Sequence, residues 1–424
     1  IEVVQDMKKV DRRSFLRLGA VTGLAAGIPV NAAADGSSSA SASASSQASP
    51  QNSSRGVKNY VRLGRTELKV SDISFGSFPL RHGEEHVVHH AMDQGINYFD
   101  TAESYGDGTS ETVMGRALKG RRDQVYVATK IGAGSRDSAA SMMQRLDESL
   151  SRLQTDYVDI FFNHAVNDIS RLKNEQWLEF ADKARSQGKV RFFGMSGHGG
   201  YLTECVDYAV QQDMFDVLLL ATNFGEDPVF FERFTRGFDF VANQQGLRAS
   251  MAKAKQKDIG IVAMKVLRGA KLNDMRPYEQ QGYTYSQAAF KWVLNIPQVD
   301  NLIVTMRNRD QIDEYLGASG AGEVSQADMD LLQQYAQMTD ASYCRHVCND
   351  CEGSCPFNVP IADVLRMRMY ATDYGDFSIA KQEYAKLDAN ASPCLSCDGR
   401  PCKDACTYEI PIADLCGPTH TMLT

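Results

Sequence analysis

Eight short runs of β-branched and aromatic residues, each followed by a stretch long enough for a helix, divide the span from Tyr60 to Ser319. The runs are Ile73–Ser77, Asn97–Asp100, Val125–Lys130, Tyr157–Phe162, Val190–Met195, Val217–Thr222, Ile259–Val266 and Asn301–Met306. Strands alternating with helices argue for a parallel sheet, because parallel neighbours need a crossover between them. Helical period shows in Met143, Leu146, Leu150 and Leu153. Eight such units in about 260 residues match one closed (β/α)8 TIM barrel, an α/β fold. Closure follows from the count of eight rather than from any one segment. A last helix beginning at Ser325, with Met329, Leu332, Tyr335 and Met338 at helical spacing, is expected to pack on the barrel.

In such barrels chemistry sits at the C-terminal ends of the strands. Asp100 ends the second run and Lys130 the third, His164 follows the fourth, and Tyr105 lies in the loop after the second. These four residue types make a workable proton-transfer site. An ammonium beside a tyrosine favours its ionised form and lowers its pKa. Asp100 is placed to hold Lys130 charged, while Tyr105 and His164 together would polarise a carbonyl for hydride attack. Singly, each has a plain structural role, Asp100 as a cap, Lys130 as a solvated strand end, His164 as a satisfied core histidine.

The run Ala91-Met-Asp-Gln-Gly-Ile-Asn-Tyr-Phe-Asp-Thr-Ala-Glu-Ser-Tyr-Gly106, with Ser110-Glu111 and Met114-Gly115 after it, resembles the aldo-keto reductases. So do Arg65-Thr66-Glu67-Leu68-Lys69-Val70-Ser71 and Asp156-Tyr157-Val158-Asp159 ahead of His164, and the resemblance covers roughly residues 60–318. It implies that Asp100, Tyr105, Lys130 and His164 are the catalytic tetrad and that the chain binds NADP or NAD. By the same resemblance Ser196 and Asn223 would face the nicotinamide carboxamide. Arg307, Arg309 and Gln311 would meet the adenosine phosphate, an arginine pair near a helix start being apt for a phosphate; a solvated basic cap is the other reading of that pair. Lys265, at the end of the seventh run, adds an unusual charge to the cofactor side. Gly197-His198 after Ser196, and Tyr315, depart from the family's pattern.

Nine of the ten cysteines fall in the last 81 residues, eight of them in two runs of four. Cys344, Cys348, Cys351 and Cys355 are followed by Pro356, and Cys394, Cys397, Cys402 and Cys406 come after a gap of 38 residues. Zinc sites use similar spacings, and disulfides would suit an exported chain. The Cys-Pro ending and the helix-like stretch Ile361 to Leu387 between the runs favour two [4Fe–4S] clusters. They resemble the helical two-cluster ferredoxins, in which the fourth cysteine of one run ligates the other cluster. Residues 341–424 are therefore expected to form a small α-helical ferredoxin-like iron–sulfur domain behind a barrel at 59–340. Cys205 and Cys416 lie outside the runs and read as ordinary buried thiols. His86, His89 and His90 share one face of a helix, which reads as solvated rather than as a metal site.

Residues 1–34 read as a twin-arginine signal peptide: Arg12-Arg13-Ser14-Phe15-Leu16, an apolar stretch from Leu18 to Val30, and a small-residue Ala32-Ala33-Ala34 end. An ordinary secretion signal is the competing reading. The stretch is too short to span a bilayer, so no stable membrane span is expected in the mature chain. Residues 35–58 are a Ser/Ala-rich linker with too little apolar surface to order itself. Without residues 1–34 the chain keeps 40 basic and 50 acidic side chains, formally −10, which is no nucleic-acid footprint.

Together these readings describe an exported, periplasmic or extracytoplasmic oxidoreductase that interconverts a small-molecule carbonyl and an alcohol, sugar-like among the options. Its clusters would pass electrons to or from a redox protein partner. Its other partner would be the twin-arginine export machinery. A non-catalytic electron carrier on a reductase barrel, and a reductase with purely structural clusters, are the alternatives.

Overall fold

The computed structural model describes residues 56–424 apart from 79, 199–200, 227–245, 268–273, 281–282, 341–343, 345–350, 373–376, 386 and 388. The expected signal peptide at 1–34, most of the expected linker at 35–58, and Cys348 lie outside the described residues. A hairpin of β1 (Tyr60–Arg62) and β2 (Lys69–Ser71) comes first. Then come β3 (Ile73–Gly76), β4 (Tyr98–Asp100), β5 (Tyr126–Ile131), β6 (Val158–Asn163), β7 (Val190–Gly197), β8 (Val217–Ala221), β9 (Gly260–Met264) and β10 (Asn301–Thr305). These eight strands are all parallel and close in sequence order, with β10 pairing β3. The eight runs read from the sequence are these eight strands.

They are legible because both faces of each strand are covered. Leu218 and Leu220 of β8 point outward to the helices, and Val217 and Leu219 point into the barrel. The outer layer includes a tilted aromatic stack in which Trp177 and Phe180 meet at 5.4 Å between centroids and Phe180 meets Phe193 at 6.0 Å. Inside, Phe162 fills the lumen, and Gly194 on the next strand makes room for it. A Cβ at Gly194 would stand 2.4 Å from the Phe162 ring. Helix ends follow ordinary rules: Ser138 caps the helix Ala139–Leu153 by accepting the N–H of Ser141 at 3.2 Å. The helix Gln326–Asp340 buries Leu332 and Tyr335 in the barrel's outer core, as its spacing predicts.

The hairpin covers the N-terminal end of the barrel. Leu63, Leu68 and Val70 join the interior side chains Tyr98, Ile160 and Leu219 in one apolar cluster. Arg62 forks onto Asp258, and Arg65 bonds Asp213 at 2.8 Å and Asp216 at 3.1 Å. Gly64 takes φ +46°, and any Cβ there would meet Gly260 N at 2.2 Å, so only glycine fits.

Beyond the barrel the helices Ile361–Thr372, Phe377–Tyr384, Pro401–Ala405 and Ile412–Leu423 enclose a second, smaller core. The helix-like stretch expected from Ile361 to Leu387 is thus two helices packed on each other. Among the described residues no helix is long and apolar enough to cross a membrane.

Candidate active site

Register places the four reactive residues at one rim. Asp100 ends β4 against Ala128, and Lys130 stands two residues beyond Ala128, next to the end of β5, so both lie at the C-terminal ends of their strands. The loop after β4 carries Tyr105 and is fastened by Glu103, which accepts from Gly132 N at 3.1 Å and from the Arg145 fork. Helix Thr109–Ala117 is held beneath it. Ser110 shares hydrogen bonds with Ser77 at 2.7 Å and Thr101 at 2.9 Å. Glu111, wholly buried, accepts from Thr129 at 2.5 Å and Arg152 at 2.6 Å. The Ser110-Glu111 motif is thereby explained as a fastening of that loop.

Lys130 Nζ donates to Asp100 Oδ1 at 2.5 Å, to the Thr101 carbonyl at 2.6 Å and to Tyr105 Oη at 3.4 Å. Asp100 and Lys130 are each 1 % exposed. Burial disfavours the Lys130 ammonium, but Asp100 and Tyr105 outweigh it and hold its pKa above the ordinary value. Burial raises Asp100, with Lys130 opposing. Tyr105 is raised as well, because burial outweighs the ammonium beside it. The expectation of a lowered Tyr105 is corrected here: Lys130 pulls in the expected direction but loses to desolvation. Tyr105 therefore keeps its proton at neutral pH.

His164 faces Tyr105 edge-on, ring centroids 5.8 Å apart. Burial first, then the charges of Lys130, His198, Lys265 and Arg171, push its pKa well below the ordinary histidine value, so it is neutral. Its turn is pinned by Arg171, which donates to the carbonyls of Ala133, His164 and Ala165 and to Asn163 Oδ1 at 2.7–2.8 Å. That pin lies seven residues past the histidine and has no periodic or motif signal in the sequence. Phe78, 43 % exposed, meets Tyr105 edge-on at 5.2 Å and was equally invisible.

The residues expected on the cofactor side sit on the same rim. Ser196, buried at the end of β7, accepts the N–H of Ala165 at 2.9 Å. Asn223, fully buried after β8, accepts from Gly225 N at 2.9 Å. Lys265 follows β9 in the left-handed region at φ +57°, an uncommon conformation for a side-chain-bearing residue. Arg307 N bonds Gln311 Oε1 at 2.7 Å, and Arg309 opens the helix Arg309–Leu316 capped by Asn308. Burial, then Lys265 and Arg366, lower His198 to about 3. Arg366 belongs to the helix Ile361–Thr372, so the charge of the C-terminal segment is felt at His198.

The cysteine runs do not stay separate. One cavity is lined by Cys355 of the first run together with Cys394, Cys397 and Cys402 of the second. Cys402 is raised by burial and by the thiols of Cys394, Cys355 and Cys397 around it. Cys406 is not in that lining; Cys351 is buried and Cys344 half-buried. Among the described residues no three His, Cys, Asp or Glu side chains converge on a point that one metal ion could occupy. The helix-face histidines go their separate ways, His86 to Gly83 O, His89 to Ala117 O and His90 to Asp313.

The model of the aldo/keto reductase family matches residues 80–337, and the chain belongs to that family. It is an aldo-keto reductase-type oxidoreductase. It is 27% identical over 308 residues to an L-galactose dehydrogenase of Arabidopsis thaliana, covering 64% of this chain and 91% of that one. It is 25% identical over 307 residues to an L-glyceraldehyde 3-phosphate reductase of Escherichia coli (strain K12), covering 62% and 88%. Among solved structures, an aldo-keto reductase from Bacillus halodurans superposes with TM-score 0.52 at 20% identity over 65% of this chain and 96% of that one. One from Klebsiella pneumoniae, in complex with NADPH, gives 0.50 at 22% over 66% and 95%. At these identities the structural likeness speaks for the fold.

Proposed function

We propose that the barrel reduces a small-molecule carbonyl, or oxidises the matching alcohol, with NADP or NAD. The observation that carries this reading is the buried Asp100–Lys130 pair with Tyr105 Oη and the His164 ring set around one point at the strand ends. A bound nicotinamide supplies or accepts the hydride. Tyr105 donates its phenolic proton to the carbonyl oxygen, or removes the proton of the alcohol in reverse. Lys130, held charged by Asp100, stabilises the phenolate left behind. Neutral His164 orients the substrate oxygen through a ring N–H. Ser196 and Asn223 supply polar groups for the carboxamide, and Lys265, Arg307, Arg309 and Gln311 supply cationic and amide donors for phosphates. The relatives' printed names, a sugar dehydrogenase and a sugar-phosphate reductase, favour a polyhydroxylated substrate.

The C-terminal segment is proposed to hold two [4Fe–4S] clusters. Cys355 of the first run lines one cavity with Cys394, Cys397 and Cys402 of the second, as an exchange of the fourth cysteine between two clusters would require. Cys355, Cys394, Cys397 and Cys402 would hold one cluster, and Cys344, Cys348, Cys351 and Cys406 the other. When bound, each supplies one-electron transfer. The proposed role of the segment is relay between the barrel and a redox protein partner. Export through the twin-arginine route, read from Arg12 and Arg13, would place this chemistry outside the cytoplasm.

The test is Tyr105→Phe in the intact purified protein, assayed with sugar aldehydes and both nucleotides. A fall in kcat of about 10²–10⁴ with nucleotide affinity unchanged is expected. Undiminished turnover in the variant, or none in the parent, would sink the assignment. For the clusters, about eight iron atoms per chain and visible absorption bleached by dithionite are expected; zinc in their place would refute them.

A further inference from the structure

Tyr335 sits on the helix Gln326–Asp340, downstream of all eight barrel strands, and is wholly buried. Its ring lies flat on that of Tyr285, centroids 4.1 Å apart and planes 17° apart. Phe224 stands steeply against both, 5.9 Å from Tyr335 and 6.0 Å from Tyr285. Each partner of Tyr335 is tied to a loop on the cofactor side. Phe224 directly follows Asn223 and opens the short turn Phe224–Glu226, whose Gly225 N–H donates to the Asn223 side chain at 2.9 Å. Tyr285 opens the helix Tyr285–Leu294, with its N–H bonded to Glu279 at 2.9 Å, and its phenol donates to the Leu267 carbonyl at 3.1 Å. Leu267 is two residues past Lys265, whose backbone stands at φ +57°. A side-chain-bearing residue persists there only where its surroundings over-determine it. Backbone pairing joins the two strand ends as far as Thr222, whose N–H bonds the Met264 carbonyl at 3.0 Å. Past that joint the three rings span the two loops.

We infer that Tyr335 is a positioning residue whose ring, packed on Tyr285 and Phe224, holds the loops carrying Asn223 and Lys265 in the arrangement that receives the nucleotide. The inference rests on the nucleotide reading given above. Stacked and edge-on rings prefer defined offsets and angles, so they fix orientation where a shapeless apolar contact would only fill space. Phe224 and Tyr285 meet each other at a single edge-on contact, while Tyr335 touches both and lies flat on one. Loss of its ring therefore loosens both loops together. A helix outside the eight βα units thereby becomes part of the cofactor side.

The experiment is a fluorescence titration of the intact protein with NADPH and with NADH, beside Tyr335→Leu, Tyr335→Phe, Phe224→Leu and Phe180→Leu. Tyr335→Leu, which keeps apolar bulk but no ring, is expected to weaken binding of the preferred nucleotide about tenfold. Its kcat at saturating nucleotide should stay near the parent's. Tyr335→Phe keeps the ring and should bind as the parent does. Phe224→Leu should repeat the loss, and the double variant should be no weaker than either single one, because both break the same contact. Phe180→Leu, in the Trp177–Phe180 stack of the outer core, should lower the urea midpoint and leave nucleotide affinity alone. The inference is overturned if folded Tyr335→Leu binds like the parent, or if Tyr335→Phe loses as much. It is equally overturned if Phe180→Leu loses as much, since that marks general loosening. Should Tyr335→Leu fail to fold, Phe224→Leu decides, and parent-like affinity there overturns the inference. A parent that binds neither nucleotide would bring down the nucleotide reading itself, and this inference with it, an outcome seen without any variant.

Discussion

The barrel and the C-terminal segment build their sites by opposite means. The barrel aims Asp100, Lys130 and His164 from strand ends whose level is set by backbone pairing, with an apolar layer on each side. Its reactive groups are carried by a frame that closes on itself. The C-terminal segment has short helices and a small core into which the cysteines themselves are packed. Its site is part of its core, so whatever the thiols hold also holds the segment together. Losing one reactive group should weaken the barrel without dismantling its frame, whereas losing the packed thiols should remove part of the smaller core itself.

The largest contrast should come from Cys397→Ala combined with Cys402→Ala. Amide exchange across residues 359–424 is expected to approach that of an unfolded chain while the barrel strands stay protected. Uniform protection in both regions would break the comparison. Next is Lys130→Met, which strands the buried Asp100 carboxylate. Breaking a buried pair costs about 3–5 kcal/mol, read as a lower urea midpoint, and turnover should vanish with it. Unchanged stability would show that the substitution does not leave the Asp100 carboxylate buried and unpaired.

Acid should then separate the regions more gently. His164 and His198 are both depressed in the folded barrel, so the unfolded chain binds protons that the folded one refuses. Their contribution is complete above about pH 6.5 and is lost as pH falls toward the folded values. On the order of 1–2 kcal/mol per histidine should be missing by about pH 5. His198→Gln should remove its share of that slope. Carbonyl reduction, by contrast, should stay level until the raised Tyr105 ionises, with the decline on the alkaline side. A decline in kcat centred near neutral pH would contradict the burial argument. The smallest effect is Ser138→Ala, about 1 kcal/mol of barrel stability from a lost helix cap, with the C-terminal segment untouched.

The strands were legible because strands covered on both faces are written as continuous β-branched and aromatic runs, and register then carries Asp100 and Lys130 to one rim. The hairpin was missed because Tyr60–Arg62 and Lys69–Ser71 are three residues each, too short to show alternation. Tyr105 was placed correctly, but its acidity depends on burial, which adjacency of residue types does not reveal. Cys355 shares a cavity with three cysteines of the second run, a meeting that depends on the helices folded between them. Arg171 acts through contacts that only the folded chain brings about.

The hairpin under the barrel carries one more implication. With Leu63, Leu68 and Val70 stopping its lower end, the barrel is a cup rather than a tube. Under the proposed reaction, the proton Tyr105 gives away must be replaced by the same opening through which the product leaves. Turnover would then be paced by traffic at a single door, with Phe78 and the His164 ring set edge-on against Tyr105 at its threshold.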